Sequence, residues 1–160
     1  MKGIRIWVYG GVLAAAYAVL TVALAPLSYG PLQFRVAEML KPAALFHPAF
    51  ALAFGLGNAL ANLTSPFGAW DFVGMAVVDA LAAYACWRLR RWPLVAVTVQ
   101  AVLVSGGVAA LPLGMGGGLP FAPTFASVLV SELVLLHAGY WIMWRRGPLR
   151  SVFSALSDAL

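Results

Sequence analysis

The chain has 160 residues and a mass of 16.9 kDa, with 63% hydrophobic residues, 9% charged residues and a mean hydropathy of +0.93. A soluble domain carries about 45–50% apolar and about 25% charged residues, so this composition excludes a water-soluble globular fold and a nucleic-acid binder with a charged face. A bilayer core takes roughly 20 apolar residues per helical crossing; the chain therefore holds at most about six or seven crossings and no separate enzyme domain. The single cysteine, Cys86, excludes an internal disulfide and a multi-cysteine metal site. The net charge of +5 is informative mainly through its placement.

The first apolar run, 6–25, ends at Pro26. Its basic start and Ala23-Leu24-Ala25 give it the look of a cleavable signal peptide. The run is long for such a segment, and its removal would spoil the charge pattern described below, so it is read as a retained helix. The second run, 32–46, is short and carries Gln33, Arg35, Glu38 and Lys41. The remaining runs are 48–63, 70–87, 93–111 and 122–144. Proline and glycine punctuate them at Pro26, Gly30-Pro31, His47-Pro48, Ser65-Pro66-Phe67-Gly68, Trp92-Pro93 and the stretch 112–123. Proline fixes φ and lacks an N–H, so these clusters end helices. Open strand backbone has no partner in lipid, and the period of two that marks a barrel is absent. The expected fold is all-α: a single domain, a six-helix transmembrane bundle with these six runs as spans.

Whether 32–46 crosses is decided by charge parity. Lys2 and Arg5 precede the first run, Arg88, Arg90 and Arg91 follow the fourth, and Arg145, Arg146 and Arg150 follow the last. With six crossings all eight lie on one side, and the opposite loops 26–31, 64–69 and 112–121 carry no Lys or Arg. Basic residues mark the cytoplasmic side, which places both termini in the cytoplasm and the chain in a prokaryotic inner membrane. The second segment is then short, tilted or sheltered by its neighbours. The tail 151–160 is mildly amphipathic and suited to the inner surface.

Ionisable and polar side chains inside a membrane are costly, and each is a functional candidate. Here they are Gln33, Arg35, Glu38, Asn58, Asn62, Asp71, Asp79, Gln100, Glu132 and His137, with Lys41 beside the first three. At 1.5 Å per residue, Arg35 and Glu38 fall roughly 5–10 Å below the outer surface, with Asn58 and Asn62 at a similar level. Asp71 lies at the rim, and Asp79 and Glu132 about 12–15 Å down. This collects polar groups in the outer half of the bundle, as a pocket open to the outside rather than a proton wire. Arg35 and Glu38, spaced i,i+3, share a face and can pair. Alternatively one or both contact a polar ligand. Glu38 and Asp71 suit an amine or the paired N–H edge of a guanine-type heterocycle. Asn58 and Asn62, one turn apart on the same run, offer donors and acceptors, for a ligand or for a neighbouring helix. Asp79 and Glu132 either line the same pocket or satisfy one another. His137 reads as a packing residue, and His47 has no second histidine near it, so no metal site is expected.

Gly114-Met115-Gly116-Gly117-Gly118 lacks the Lys-Ser/Thr of a phosphate loop; it reads as an outer lid or an ordinary linker. With no Walker motif and no nucleophile–base arrangement, no catalytic residue and no cofactor is expected. Gly10, Ala14 and Ala18 form a small-residue stripe on the first helix, with Gly11 and Ala15 beside it. Small residues four apart let another helix approach closely, either from a partner protein or from the same bundle.

The run Ser28-Tyr29-Gly30-Pro31-Leu32-Gln33-Phe34-Arg35-Val36-Ala37-Glu38 resembles the signature of the queuosine precursor transporter family. Ala61-Asn62-Leu63-Thr64-Ser65-Pro66, followed by Trp70-Asp71, is similar to that family too, as are the length and six-helix layout. The resemblance covers nearly the whole chain. It implies a substrate-binding S component of an energy-coupling factor transporter, capturing a 7-deazaguanine such as 7-aminomethyl-7-deazaguanine or queuine. It also implies a transmembrane coupling protein and two ATPase subunits as partners. Pocket roles map onto Gln33, Arg35, Glu38, Asn62 and Asp71; Asn58, Asp79 and Glu132 are added by burial logic alone. Lys41 stands where the family pattern is usually uncharged. Two other readings are an S component for a different heterocyclic vitamin and a small structural membrane protein.

Overall fold

A computed structural model describes residues 2–29, 33–64, 70–114, 120–145 and 149–152. All regular structure among them is helical. Helix α1 runs Lys2–Ala23 and is followed by the single turn α2, Ala25–Ser28, with Pro26 in its first turn. A 3-10 helix spans Val36–Leu45. Helix α3 is Ala49–Ala61, extended by a 3-10 turn at Asn62–Thr64. A π turn, Trp70–Gly74, leads into α4, Met75–Arg88. Helix α5 is Pro93–Gly114, and α6, Phe121–Gly139, continues through a second π turn, Tyr140–Arg145.

The order of packing is α1 on α3, α3 on α4, α4 on α5 and α5 on α6. The 3-10 helix touches α1, α3, α4, α5 and α6. The most charged segment of the chain is thus the axle of the bundle, and the apolar helices stand between it and the surroundings. Outward-facing side chains are apolar: Val8 and Val12 on α1, Leu52 and Leu56 on α3, Val77 and Leu81 on α4, Val130 and Val134 on α6. Polar inside and apolar outside is the arrangement that lipid imposes.

Three helices are long and apolar enough to cross a membrane, at Ile4–Ala23, Pro93–Ala110 and Phe121–Arg145; Ala49–Ala61 is a shorter apolar helix. The second run, expected as a short helix over 32–46, is wound as a 3-10 helix of ten residues, Val36–Leu45. Pro42 supplies a reason. In a 3-10 helix each N–H bonds the carbonyl three residues back, and proline has none to give, so Met39 C=O loses its partner within the segment. Trp144 Nε1 donates to that oxygen at 3.2 Å. Gly139 makes the approach feasible, because a Cβ there would collide with the Met39 backbone.

The small stripe of α1 divides. Gly10 and Ala14, expected to receive a partner helix, are buried against α3 of the same chain. A Cβ on Gly57 of α3 would meet Ala14 O at 2.9 Å, so the two backbones lie in direct contact. Ala18 is half-buried, and Gly11 and Ala15 are exposed on the outer side. Of the glycine-rich stretch only Gly114 is described, as the last residue of α5; the expected lid at 115–118 and most of the 151–160 tail lie outside the described residues.

Candidate functional site

The 3-10 winding sets the geometry of the site. Side chains three apart eclipse one another in such a helix, so Arg35 at its cap, Glu38 and Lys41 rise along one edge. Lys41 Nζ lies 2.6 Å from Glu38 Oε2 and 2.7 Å from Asp79 Oδ1 on α4. Tyr17 of α1 donates its hydroxyl to Glu38 Oε1 at 2.5 Å, and its ring stands 5.3 Å from the Lys41 ammonium. Asn58 of α3 donates to the other oxygen of Asp79. Asn62 Nδ2 donates in turn to Asn58 Oδ1 at 2.5 Å and faces Asp71 O at 3.5 Å. A continuous polar chain thus runs Asn62, Asn58, Asp79, Lys41, Glu38, Tyr17 through four elements.

These groups are closed off from solvent, with Lys41, Asp79, Asn58 and Tyr17 at 0% exposure and Glu38 and Asn62 at 1%. The expected pocket open to the outside is therefore corrected to a closed cluster. A carboxylate pair buried with one ammonium needs further hydrogen bonds to be tolerated, and Tyr17 and Asn58 each supply one here.

Arg35 and Glu38 do not form the ion pair that their spacing allows. Arg35 Nε reaches Ser28 O at 3.4 Å, and the guanidinium lies over the Tyr29 ring at 5.2 Å, while Glu38 is taken by Tyr17 and Lys41. Asp79 and Glu132 do not satisfy one another either: both Asp79 oxygens are occupied from Lys41 and Asn58. Glu132 is 3% exposed and hydrogen-bonded to Glu38, near Lys41 and Asp79, while its Oε2 has no hydrogen-bond partner. Asn62 Oδ1 and both amide atoms of Gln100 are buried without partners as well. Gln33 and Asp71 stand at the margin, half-buried; Gln33 holds a left-handed φ of 45°, which costs a non-glycine residue energy.

Lys41, set aside on the sequence pattern, is the hub. The signal that finds it is the 35, 38, 41 spacing followed by Pro42, a period of three rather than 3.6. His137 packs as expected, with Nδ1 against Leu133 O at 2.8 Å and Nε2 against Thr98 Oγ1 at 3.3 Å. Among the described residues no group of three or more His, Cys, Asp or Glu is placed to hold a metal.

Two cavities lie away from this cluster. One, about 410 Å³, opens at the arginine end among Phe46, Arg90, Tyr140, Trp144, Arg145 and Arg150. The other, about 380 Å³, is an apolar groove between α3 and α4, over Leu52, Leu56, Val73 and Val77.

The pattern of the QueT transporter family matches residues 7–145. The queuosine precursor transporter QueT of Lactococcus lactis subsp. cremoris (strain MG1363) is 41% identical over 56 residues, which are 34% of this chain and 33% of that protein. The match thus spans about a third of that relative's length. No solved structure matches. The family pattern takes in α1, the charged 3-10 helix, the Asn58–Asn62 turn and α6, so every element of the buried cluster falls inside it; the chain belongs to the QueT transporter family.

Proposed function

We propose that the chain is the membrane S component for uptake of a queuosine precursor, a 7-deazaguanine such as 7-aminomethyl-7-deazaguanine or queuine. It works with a transmembrane coupling protein and two ATPase subunits of an energy-coupling factor module. The observation that carries this reading is a closed cluster of acceptors and donors, inside an apolar bundle, within the residues that match the transporter family. Gln33, Arg35, Glu38, Asn58, Asn62, Asp71, Asp79 and Glu132 are the ligand residues, with Lys41 holding Glu38 and Asp79 in place. A carboxylate has about four lone-pair sites, so Glu38 keeps acceptor capacity for the paired N–H groups of a guanine edge while bonded to Tyr17 and Lys41. Asn62 Oδ1 offers a further open acceptor.

The chain crosses six times, with both termini and the Arg88–Arg91 loop in the cytoplasm of a prokaryotic cell. The 3-10 helix, ten residues long, covers about 20 Å at about 2.0 Å rise per residue, against roughly 30 Å for a hydrocarbon core. Capture is a binding function, and the chain carries out no reaction of its own.

The test is titration of the purified protein with a panel of 7-deazaguanines and unrelated heterocyclic vitamins. Binding of a deazaguanine alone is expected. Binding of a vitamin instead would assign the chain to another substrate, and binding of nothing would leave a structural role. Glu38→Ala should weaken deazaguanine binding by at least tenfold, since losing one partner of a buried charged contact costs about 2–5 kcal/mol. Lys41 keeps Asp79 in that variant, so the protein should still fold.

A further inference from the structure

The arginine end of the bundle holds a second cavity, apart from the buried cluster. Its volume of about 410 Å³ is that of a small-molecule site. Its wall joins parts of the chain that lie far apart in sequence: Phe46 at the cap of the 3-10 helix, Arg90 between α4 and α5, Tyr140, Trp144 and Arg145 from the π turn that ends α6, and Arg150 beyond it. Among the described residues the carboxylates stand elsewhere. Glu38, Asp79 and Glu132 meet in the buried cluster, and Asp71 is on the π turn at the other end of α4. Three guanidiniums thus share one cavity without a counter-charge, and like charges brought together repel.

These arginines are held in place. Arg90 lies over the Trp87 ring at 4.6 Å and donates to Trp87 O at 3.3 Å. Arg145 lies over the Trp141 ring at 4.5 Å, and Arg150 Nη1 donates to Arg145 O at 3.3 Å. A guanidinium has five N–H donors, so each keeps most of them, in the fork that matches phosphate oxygens. The surroundings select among phosphates. Phe46 and Trp144 stack in the wall with ring centroids 5.8 Å apart, and the flanking side chains Trp92, Leu94, Trp141 and Ile142 are exposed. Tryptophan beside arginine marks the membrane–water interface, where basic pockets between helices take lipid headgroups. A free phosphate ion gains nothing from an aromatic wall, whereas a phospholipid sets its phosphate on the guanidiniums and its glycerol against the rings.

We propose that this cavity binds the headgroup of an anionic phospholipid from the leaflet at the arginine end, through Arg90, Arg145 and Arg150. The bound lipid braces the 3-10 helix, because Trp144 in the cavity wall is also the donor to Met39 O. The site is independent of which ligand the buried cluster takes.

The experiment is native mass spectrometry of the purified chain in detergent, titrated with phosphatidylglycerol and with phosphatidylcholine of the same acyl chains, and melting curves in each lipid. Phosphatidylcholine carries the same phosphate without net charge. Phosphatidylglycerol should bind at least about tenfold more tightly, the scale of guanidiniums acting together on one negative charge, and should raise the thermal midpoint where phosphatidylcholine does not. Arg90→Gln with Arg145→Gln should bring phosphatidylglycerol down to the level of phosphatidylcholine. Arg88→Gln with Arg91→Gln removes the same charge outside the cavity wall, and should leave the preference intact. Equal binding of the two lipids by the wild-type chain would overturn the proposal, a result that needs no variant to fold. An equal loss in the two double variants would also overturn it, by reducing the preference to net charge. Displacement of phosphatidylglycerol by millimolar inorganic phosphate would overturn it as well, by assigning the site to a free anion.

Discussion

Lys41 decides whether two carboxylates can be buried side by side. Its ammonium lies within 2.7 Å of both Glu38 and Asp79, and removing one member of such a buried set costs about 3–5 kcal/mol, because the others are left uncompensated. Lys41→Met should therefore lower the thermal midpoint of the detergent-solubilised protein sharply. Combining it with Glu38→Gln and Asp79→Asn should recover most of the loss; a single variant as stable as wild type would remove Lys41 from its central place. His47 offers a gentler test at the other end of the same segment. Its Nδ1 accepts the Ala49 N–H at 3.1 Å at the start of α3, and burial holds the imidazole below its ordinary value of 6.5. A depressed folded-state value favours the neutral ring, so the stabilisation is complete above about pH 6.5 and is lost as pH falls through the lower folded value. Melting curves should show a fall below pH 6.5 that His47→Asn reduces. At this scale the sequence listed almost every polar participant, because so few exist, but the pairing of Arg35 with Glu38 that it allowed does not form. Spacing along one helix shows which side chains share a face. It does not show that Tyr17, 21 residues away, arrives first.

The 3-10 helix is an element whose shape depends on another element. Pro42 deprives Met39 C=O of its donor, and the Trp144 indole at the end of α6 replaces it. Trp144→Phe should cost about 1–3 kcal/mol, the penalty of leaving a buried acceptor unmet. In a Pro42→Ala background the same change should cost less, since the restored backbone N–H can serve the carbonyl. A double-mutant cycle on thermal stability measures this coupling, and additive effects would show that the two donors are unrelated. Gly139→Leu should prevent folding altogether, because a Cβ there meets the Met39 backbone rather than a side chain that can turn aside. Helix ends were legible from proline and glycine: α3 begins after Pro48, α5 at Pro93, and α6 just after Pro120. The winding of Val36–Leu45 was not, because its donor lies about 100 residues downstream.

For the whole molecule, apolar side chains face outward on every long helix while the charges meet on the axis. The arginines Arg88, Arg90 and Arg145 stand at one end, and reporter fusions after Arg91 should report the cytoplasm if the proposed six crossings hold. A fusion there that reports the outside would sink that orientation. The surface of α1 left uncovered is the Gly11–Ala15 side, flanked by Val8, Val12 and Val19. Ala15→Leu should impair copurification with the coupling protein and leave ligand binding intact. Ala14→Leu, which faces Gly57, should instead destabilise the isolated chain. If Ala14→Leu folds normally and only assembly fails, the buried stripe opens to partners after all.

By itself the sequence determined that this is an all-helical protein built for lipid, where its helices break, which few side chains are polar, and, through the Gln33–Glu38 run, which family it resembles. These are properties of composition and of local backbone chemistry, and they need no knowledge of neighbours. Only the tertiary structure decided which polar groups meet, that Lys41 is their hub, that the Gln100 amide is left without a partner, and which half of the α1 stripe is covered. The physical reason is that a membrane helix is apolar on its lipid face and largely apolar on its packed face. The contrast that orients a helix in water is weak here, and the direction of each buried charge is set by whichever helix supplies the matching group.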